Sequence, residues 1–259
     1  MIEIKNLIKT FGRGQAEVKA LDGVSLEIEK GEFVGIMGPS GSGKTTLLHL
    51  LGLLDDPSSG TIRIDGIDVC RLTDWERTMF RLYKLGYVFQ DYALVPELTV
   101  KENICLPAML RRDREEKEYT AATRDILHSI GLWERRDHLQ SELSGGQQQR
   151  VAIARAIVNT PDILFADEPC ANLDTENSRM VLELFRKINR ERGQTIVMVS
   201  HEDWHTEYFD RVVRLKDGKL VNGAAQAAAE PKAAALKENA MGNPLNYSGM
   251  GIGIEADGS

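Results

Sequence analysis

Residues 33–46, FVGIMGPSGSGKTT, decide the architecture of this chain. Phe33 to Met37 is a nearly continuous apolar run, the pattern of a strand buried on both faces. It feeds a loop, Gly38-Pro39-Ser40-Gly41-Ser42-Gly43-Lys44-Thr45-Thr46. Leu47, Leu48, Leu50 and Leu51 follow and predict a core-packed helix. Glycines allow backbone N–H groups to curl around phosphate oxygens, and a helix N-terminus adds its dipole. Strand, glycine loop and helix in that order are the context in which Gly-x-x-x-x-Gly-Lys-Thr cradles a nucleotide's phosphates. Lys44 is expected to reach the β- and γ-phosphates, and the Thr45 hydroxyl to ligate Mg2+.

Further along, two more apolar runs end in chemistry. Ile163 to Ala166 leads into Asp167-Glu168-Pro169, and Thr195 to Ser200 leads into His201. Asp167 is placed to hold Mg2+ and Glu168 to polarise the attacking water. His201 is placed to bond the γ-phosphate or to hold that water in line. His201 and His205 also share a metal-ligand spacing, but a zinc site needs a third ligand and none is evident, so zinc is not expected. Strands alternating with helices imply a parallel sheet with its site at the carboxyl ends of the strands.

About a hundred residues after the phosphate loop stands ELSGGQQQR, residues 142–150. Its Ser-Gly-Gly-Gln turn opens a helix and presents a second anion-binding surface. Between the two motifs the character is helical. Thr99 and Glu102 have capping-box spacing, charges crowd Arg111 to Glu118 in an expected helical stretch, and Leu110, Ile126, Leu127 and Ile130 supply apolar faces. The N-terminal residues read as strands, with Ile2 and Ile4, then Val24, Leu26 and Ile28, alternating with polar neighbours. Thr61 to Val69 alternates again after the turn at Pro57 to Gly60. Beyond Asn222 the composition turns to Ala and Gly with no strand pattern. Pro231 to Met241 is expected as one short helix in an otherwise disordered tail.

The chain has 259 residues, 42% apolar and 27% charged, with a formal charge of −7. That balance gives no electrostatic reason to bind nucleic acid. No apolar run approaches the ~18–20 residues needed to span a bilayer. The opening MIEIKNLIKTF alternates like a strand and lacks a signal peptide's apolar block. The chain is therefore expected in the cytosol, with any membrane role supplied by a partner. Cys70, Cys105 and Cys170 are isolated from one another and are expected as reduced structural thiols.

These motifs resemble the ATP-binding-cassette ATPases. GPSGSGKTT matches their Walker A loop, ILFADEP their Walker B strand with catalytic Glu168, and LSGGQ at 143–147 their signature. Gln90 in YVFQD matches the Q-loop glutamine, a Mg2+ ligand that also couples to the partner. Ala171-Asn172-Leu173-Asp174 matches the D-loop, His201 the switch histidine, and Phe11 sits where an aromatic ring stacks on adenine. The resemblance implies an α/β fold: a P-loop NTPase (RecA-like) core, an N-terminal antiparallel β subdomain and a helical signature subdomain. It implies an ATPase domain over 1–222, with its core in 1–90 and 151–222 and the helical part in 91–150; 223–259 is a tail.

It implies further that two copies pack head to tail, so that Ser144, Gly145, Gly146 and Gln147 of one face the γ-phosphate held by Lys44 of the other, near Asp174. ATP and Mg2+ are the implied cofactors. Three longer stretches resemble the MacB/LolD group, with FtsE-type ATPases as close relatives. The implied partner is an integral-membrane permease with few spans and a large extracytoplasmic domain. It would hold the ATPase peripherally on the cytoplasmic face of the membrane. The alternatives are an FtsE-like mechanical role or a soluble cassette acting on DNA or ribosomes. That second class usually carries two cassettes or a coiled-coil insertion, and neither is present here. Two departures from the group stand out: Cys170-Ala171 in place of Thr-Gly, and Asp91-Tyr92-Ala93 in place of an aromatic-Asn pattern.

Overall fold

The structure, a computed structural model, describes residues 1–12, 14, 17–221 and 226–227. The expected helix at 231–241 and the rest of the expected tail lie outside these residues.

The chain opens as a hairpin, β1 (Ile2–Phe11) against β2 (Val18–Ile28), and then enters the core as β3 (Phe33–Met37). Helix α1 (Lys44–Leu51) leads to β4 (Ser59–Ile64), which pairs with the other edge of β1 and carries β5 (Ile67–Asp68). This antiparallel sheet has the order β2-β1-β4-β5. The second sheet joins β3 to β6 (Leu85–Val88), β7 (Ile163–Asp167), β8 (Thr195–Ser200), β9 (Arg211–Lys216) and β10 (Lys219–Leu220), in the order β10-β9-β3-β8-β7-β6. From β9 through β6 the strands run parallel, and β10 returns antiparallel. β11 (Gln226–Ala227) pairs antiparallel with β9. Two residues of the Ala/Gly region beyond Asn222 are thus extended on the sheet, because backbone pairing does not require an apolar side-chain pattern.

The pleat explains the layering. Successive residues of a strand point to opposite faces. Ile163 and Phe165 of β7 therefore join one cluster, with α1 and the inner face of the antiparallel sheet, while Leu164 and Ala166 join the other. The second cluster holds most of the other α-helices, on the opposite face. These include α3 (Val100–Met109), α4 (Glu116–Ser129), α5 (Gly145–Ile157) and α6 (Thr175–Arg192). α1 is apolar on several sides because it is clamped between the two sheets; Leu47, Leu48, Leu50 and Leu51 are all fully buried.

The capping box at Thr99 and Glu102 opens α3 as expected. A second, at Thr73 and Glu76, opens α2 (Asp74–Lys84), which the sequence reading did not find. Two expectations fail between α3 and α4. Arg111 to Glu115 is not helical: the Arg111 guanidinium donates to Asp113 and to the Asn159 carbonyl, fixing a turn, and α4 starts at Glu116. Leu110, expected in an apolar face, is 65% exposed at the C-terminal cap of α3. Among the described residues, no helix is long and apolar enough to cross a membrane.

Candidate active site

Strand register assembles the site. Met37 lies opposite Ser200 and Asp167 opposite Val199, so β3, β8 and β7 end side by side. The glycine loop, Asp167-Glu168 and His201 emerge from that shared carboxyl edge. Gly43 caps α1 with φ 97°, and a Cβ there would sit 2.3 Å from the Ala20 carbonyl oxygen, so only glycine fits. No side chain caps this helix. Lys44 is buried, and its Nζ donates to the carbonyls of Gly38 and Pro39 at 2.9 and 3.0 Å. The buried Ser42 hydroxyl has no protein partner. An ammonium, an uncapped helix terminus and an unpaired hydroxyl within one loop fit a phosphate group. Pro39, Ser40 and Gly41 are exposed at its rim, while Thr46 lies within the first turn of α1.

The Thr45 hydroxyl donates to Asp167 Oδ1 at 3.0 Å. Asp167 is 6% exposed, with His49 Nε2 3.7 Å from its other oxygen. Burial pushes its carboxyl above the usual range, against the Thr45 hydrogen bond and the His49 charge. A buried carboxylate beside a hydroxyl oxygen is a hard-oxygen donor pair, which suits Mg2+ and gains from a cation's arrival. Glu168 has φ 42°, a strained backbone for a residue other than glycine, of the kind that clusters at functional sites. Its Oε2 lies 3.2 Å from His201 Nδ1, and His201 Nε2 lies 3.3 Å from Glu202 Oε1. Gln90 stands two residues past β6 with an exposed side chain. Its carbonyl accepts from Asn172 Nδ2 at 3.4 Å, and among the described residues its side chain has no hydrogen bond to Thr45 or Asp167. Phe11 ends β1 at 46% exposure, with Lys9 Nζ 4.9 Å from its ring centre.

The Ser144 turn is organised differently. Ser144 caps α5: its N–H donates to Gln147 Oε1 at 2.9 Å, and its hydroxyl accepts from the Gln147 N–H at 3.4 Å. A Cβ on Gly146 would fall 2.2 Å from Asn177 Oδ1, and one on Gly145 3.0 Å from the Tyr92 hydroxyl. Asp174 caps α6, accepting from both the backbone and the side chain of Asn177 at 2.8 Å. Those hydrogen bonds, the backbone one first, hold the Asp174 carboxyl below its usual range. Among the described residues, the hydrogen bonds of the Ser144–Gln147 turn stay within its own helix and do not reach the glycine loop.

Sequence reasoning missed three neighbours. His49, one turn into α1, faces Asp167. Arg155 donates to the carbonyls of Tyr92 and Ala93 at 2.9 and 2.6 Å, and both of those residues have φ above 50°. His205 is 3% exposed and bonded to Ser200. The spacing of His201 and His205 was visible, but not that the second ring turns inward. Cys170 is buried, its thiol pushed up to about 12 by burial, and is chemically quiet.

A parallel sheet whose carboxyl edge joins a glycine-loop lysine, a hydroxyl–carboxylate pair and a strained glutamate defines a P-loop nucleoside triphosphatase. The family model described as ABC transporter matches residues 21–171. A macrolide export ATP-binding/permease protein MacB of Chlorobaculum tepidum is 47% identical over 222 residues, covering 86% of this chain and 34% of that protein. The lipoprotein-releasing system ATP-binding protein LolD of Geobacter metallireducens is 43% identical, covering 85% of this chain and 98% of that protein. A dimeric ATP-binding cassette, MJ0796, solved in a post-hydrolysis state bound to ADP and Pi, superposes with a TM-score of 0.79 at 42% identity. That match covers 85% of this chain and 96% of that one. The chain belongs to the ABC transporter family and is an ATPase of the ATP-binding-cassette type. It spans less than half the length of the MacB relatives it matches.

Proposed function

We propose that this chain is the ATP-hydrolysing component of a MacB/LolD-type transporter, working as a head-to-tail dimer against a membrane permease. One observation carries the reading: Lys44, Thr45–Asp167 and Glu168–His201 gather at one strand edge, while the Ser144–Gln147 turn is bonded within its own helix. A turn that lies apart from its own cradle is free to serve another molecule's. The dimeric MJ0796 structure supports that arrangement.

In this reading Lys44 leaves the Gly38 and Pro39 carbonyls for the β- and γ-phosphates. The uncapped N–H groups of α1 bond the same oxygens, with Pro39, Ser40, Gly41, Ser42 and Thr46 lining the loop. Thr45, Asp167 and Gln90 would hold Mg2+, which when bound neutralises charge developing on the phosphate oxygens. Glu168 accepts a proton from the attacking water, and His201 steadies the γ-phosphate side. The Phe11 ring stacks on the adenine. Ser144, Gly145, Gly146 and Gln147 face the triphosphate of a second copy, next to Asp174. The cassette occupies 1–222, with its core in 1–90 and 151–222 and the helical part in 91–150. It docks peripherally on the cytoplasmic face of the membrane through the permease.

Glu168→Gln tests the reading. ATP should still bind, phosphate release should fall about 100-fold or more, and a dimer should accumulate with saturating ATP and Mg2+. Light scattering that finds only monomer under those conditions would refute the sandwich. Undiminished phosphate release would remove Glu168 as the base.

A further inference from the structure

Next to Glu168 lies a cavity of about 140 Å3, lined by Cys170, Ser178, Ser200, His201, Trp204 and His205 among others. Its least explained wall is His205, whose side chain belongs to no motif. His205 is 3% exposed. Trp204 packs edge-on to its ring at 4.3 Å, fixing the plane. Its Nδ1 is 2.7 Å from the Ser200 hydroxyl. That same hydroxyl accepts the Glu202 N–H at 3.2 Å. A serine hydroxyl bonded to the N–H two residues on closes a turn around the residue between them, here His201.

Ser200 Oγ accepts from Glu202 and keeps its own proton and a second lone pair, so it bonds His205 Nδ1 in either ring tautomer. Burial pushes the His205 pKa down to about 4, so the ring stays neutral at working pH. Its Nε2 is buried and has no protein partner. A buried polar nitrogen without a partner carries a desolvation penalty. The cavity it lines relieves that penalty, having ample room for water beside several polar side chains.

We propose that Ser200 and His205 form a positioning pair: the buried imidazole fixes the Ser200 hydroxyl, and the hydroxyl fixes the turn that holds His201 against Glu168. His205 touches neither nucleotide nor water nucleophile and acts through His201. The inference rests on the reading of His201 as a hydrolytic residue.

His205→Phe keeps a ring against Trp204 and deletes both nitrogens. His205→Asn places an amide oxygen near the position of Nδ1, able to accept the Ser200 proton. In His205→Phe and Ser200→Ala, kcat for phosphate release should fall about ten-fold with KM for ATP within about two-fold, the mark of a displaced group rather than lost binding. His205→Asn should recover most of the loss. The Ser200→Ala/His205→Phe double variant should be no slower than the worse single, because both break one unit. Three results would overturn the proposal: kcat of folded His205→Phe within about two-fold of the parent, Asn no better than Phe, or losses that multiply in the double variant. Failure of the underlying reading looks different, since His201→Ala would then turn over ATP like the parent. An inactive His201→Ala beside a fully active His205→Phe would sink only the positioning pair.

Discussion

Helix α1 begins at a glycine and α5 at a serine, and the two starts treat their free N–H groups in opposite ways. At α1 no side chain caps the helix, and the neighbouring Lys44 ammonium rests on its own loop's carbonyls. At α5, Ser144 and Gln147 bond one another reciprocally, and Gly146 is pressed against Asn177. The first terminus has no side-chain cap, whereas the second is closed by its own side chains with Gly146 buried. In the proposed function the first serves a phosphate bound by the same chain and the second a nucleotide held by another copy.

The sharpest way to break that contrast is Lys44→Ala. Removing a preorganised cation from a phosphate site should weaken ATP binding by about 100-fold or more, read by nucleotide titration. Near-native affinity would mean that α1 holds no phosphate. Next is Gly146→Ala. The added methyl meets Asn177 Oδ1, whose amide is tied to Asp174. Overpacking of this kind costs about 1–3 kcal/mol, and because it lies on the signature turn it should also slow turnover. Asn177→Ala in the same chain should restore the thermal midpoint; if it does not, the clash lies elsewhere.

Caps allow a finer test. Ser144→Ala and Thr99→Ala each delete the hydroxyl of a capping box. Each should cost about 1 kcal/mol of stability. Only Ser144→Ala should also lower ATP turnover, since α3 faces no nucleotide in the proposed dimer. Equal turnover in the two variants would reduce the Ser144 turn to a structural cap.

What was legible in the sequence follows from the same physics. β3, β7 and β8 are buried on both faces, so their apolar runs are continuous and their ends can be read to within a residue. The candidate residues Lys44, Asp167, Glu168 and His201 lie at or just beyond those ends, so their positions were legible with them. β6 is four residues, LGYV, and β9 is RVVRLK; both take their place from neighbouring strands, and neither run announces itself. His205 escaped because its polarity suggests solvent or metal, while its burial depends on Ser200 and Trp204 meeting it across a turn. Leu110 misled in the other direction, since hydrophobicity does not say on which side of a helix end a residue will fall.

The smallest effect bears on the strap that runs past the second helix. Tyr92 and Ala93 have φ of 58° and 51°, left-handed backbone that costs an alanine about 1–2 kcal/mol and costs asparagine less. Arg155, in the last turn of α5, donates to both carbonyls, so a guanidinium fork on that helix lies against the left-handed pair. Ala93 is exposed, so an asparagine has room. Ala93→Asn should raise stability by about 0.5–1 kcal/mol, a rise in thermal midpoint of about 1–4 °C for a domain of this size. The gain should persist in an Arg155→Ala background, because it comes from the backbone preference of residue 93 and not from the clamp. A gain confined to the chain with Arg155 intact would instead place the strain in the clamp, and Tyr92–Ala93 would be a segment that α5 bends into shape.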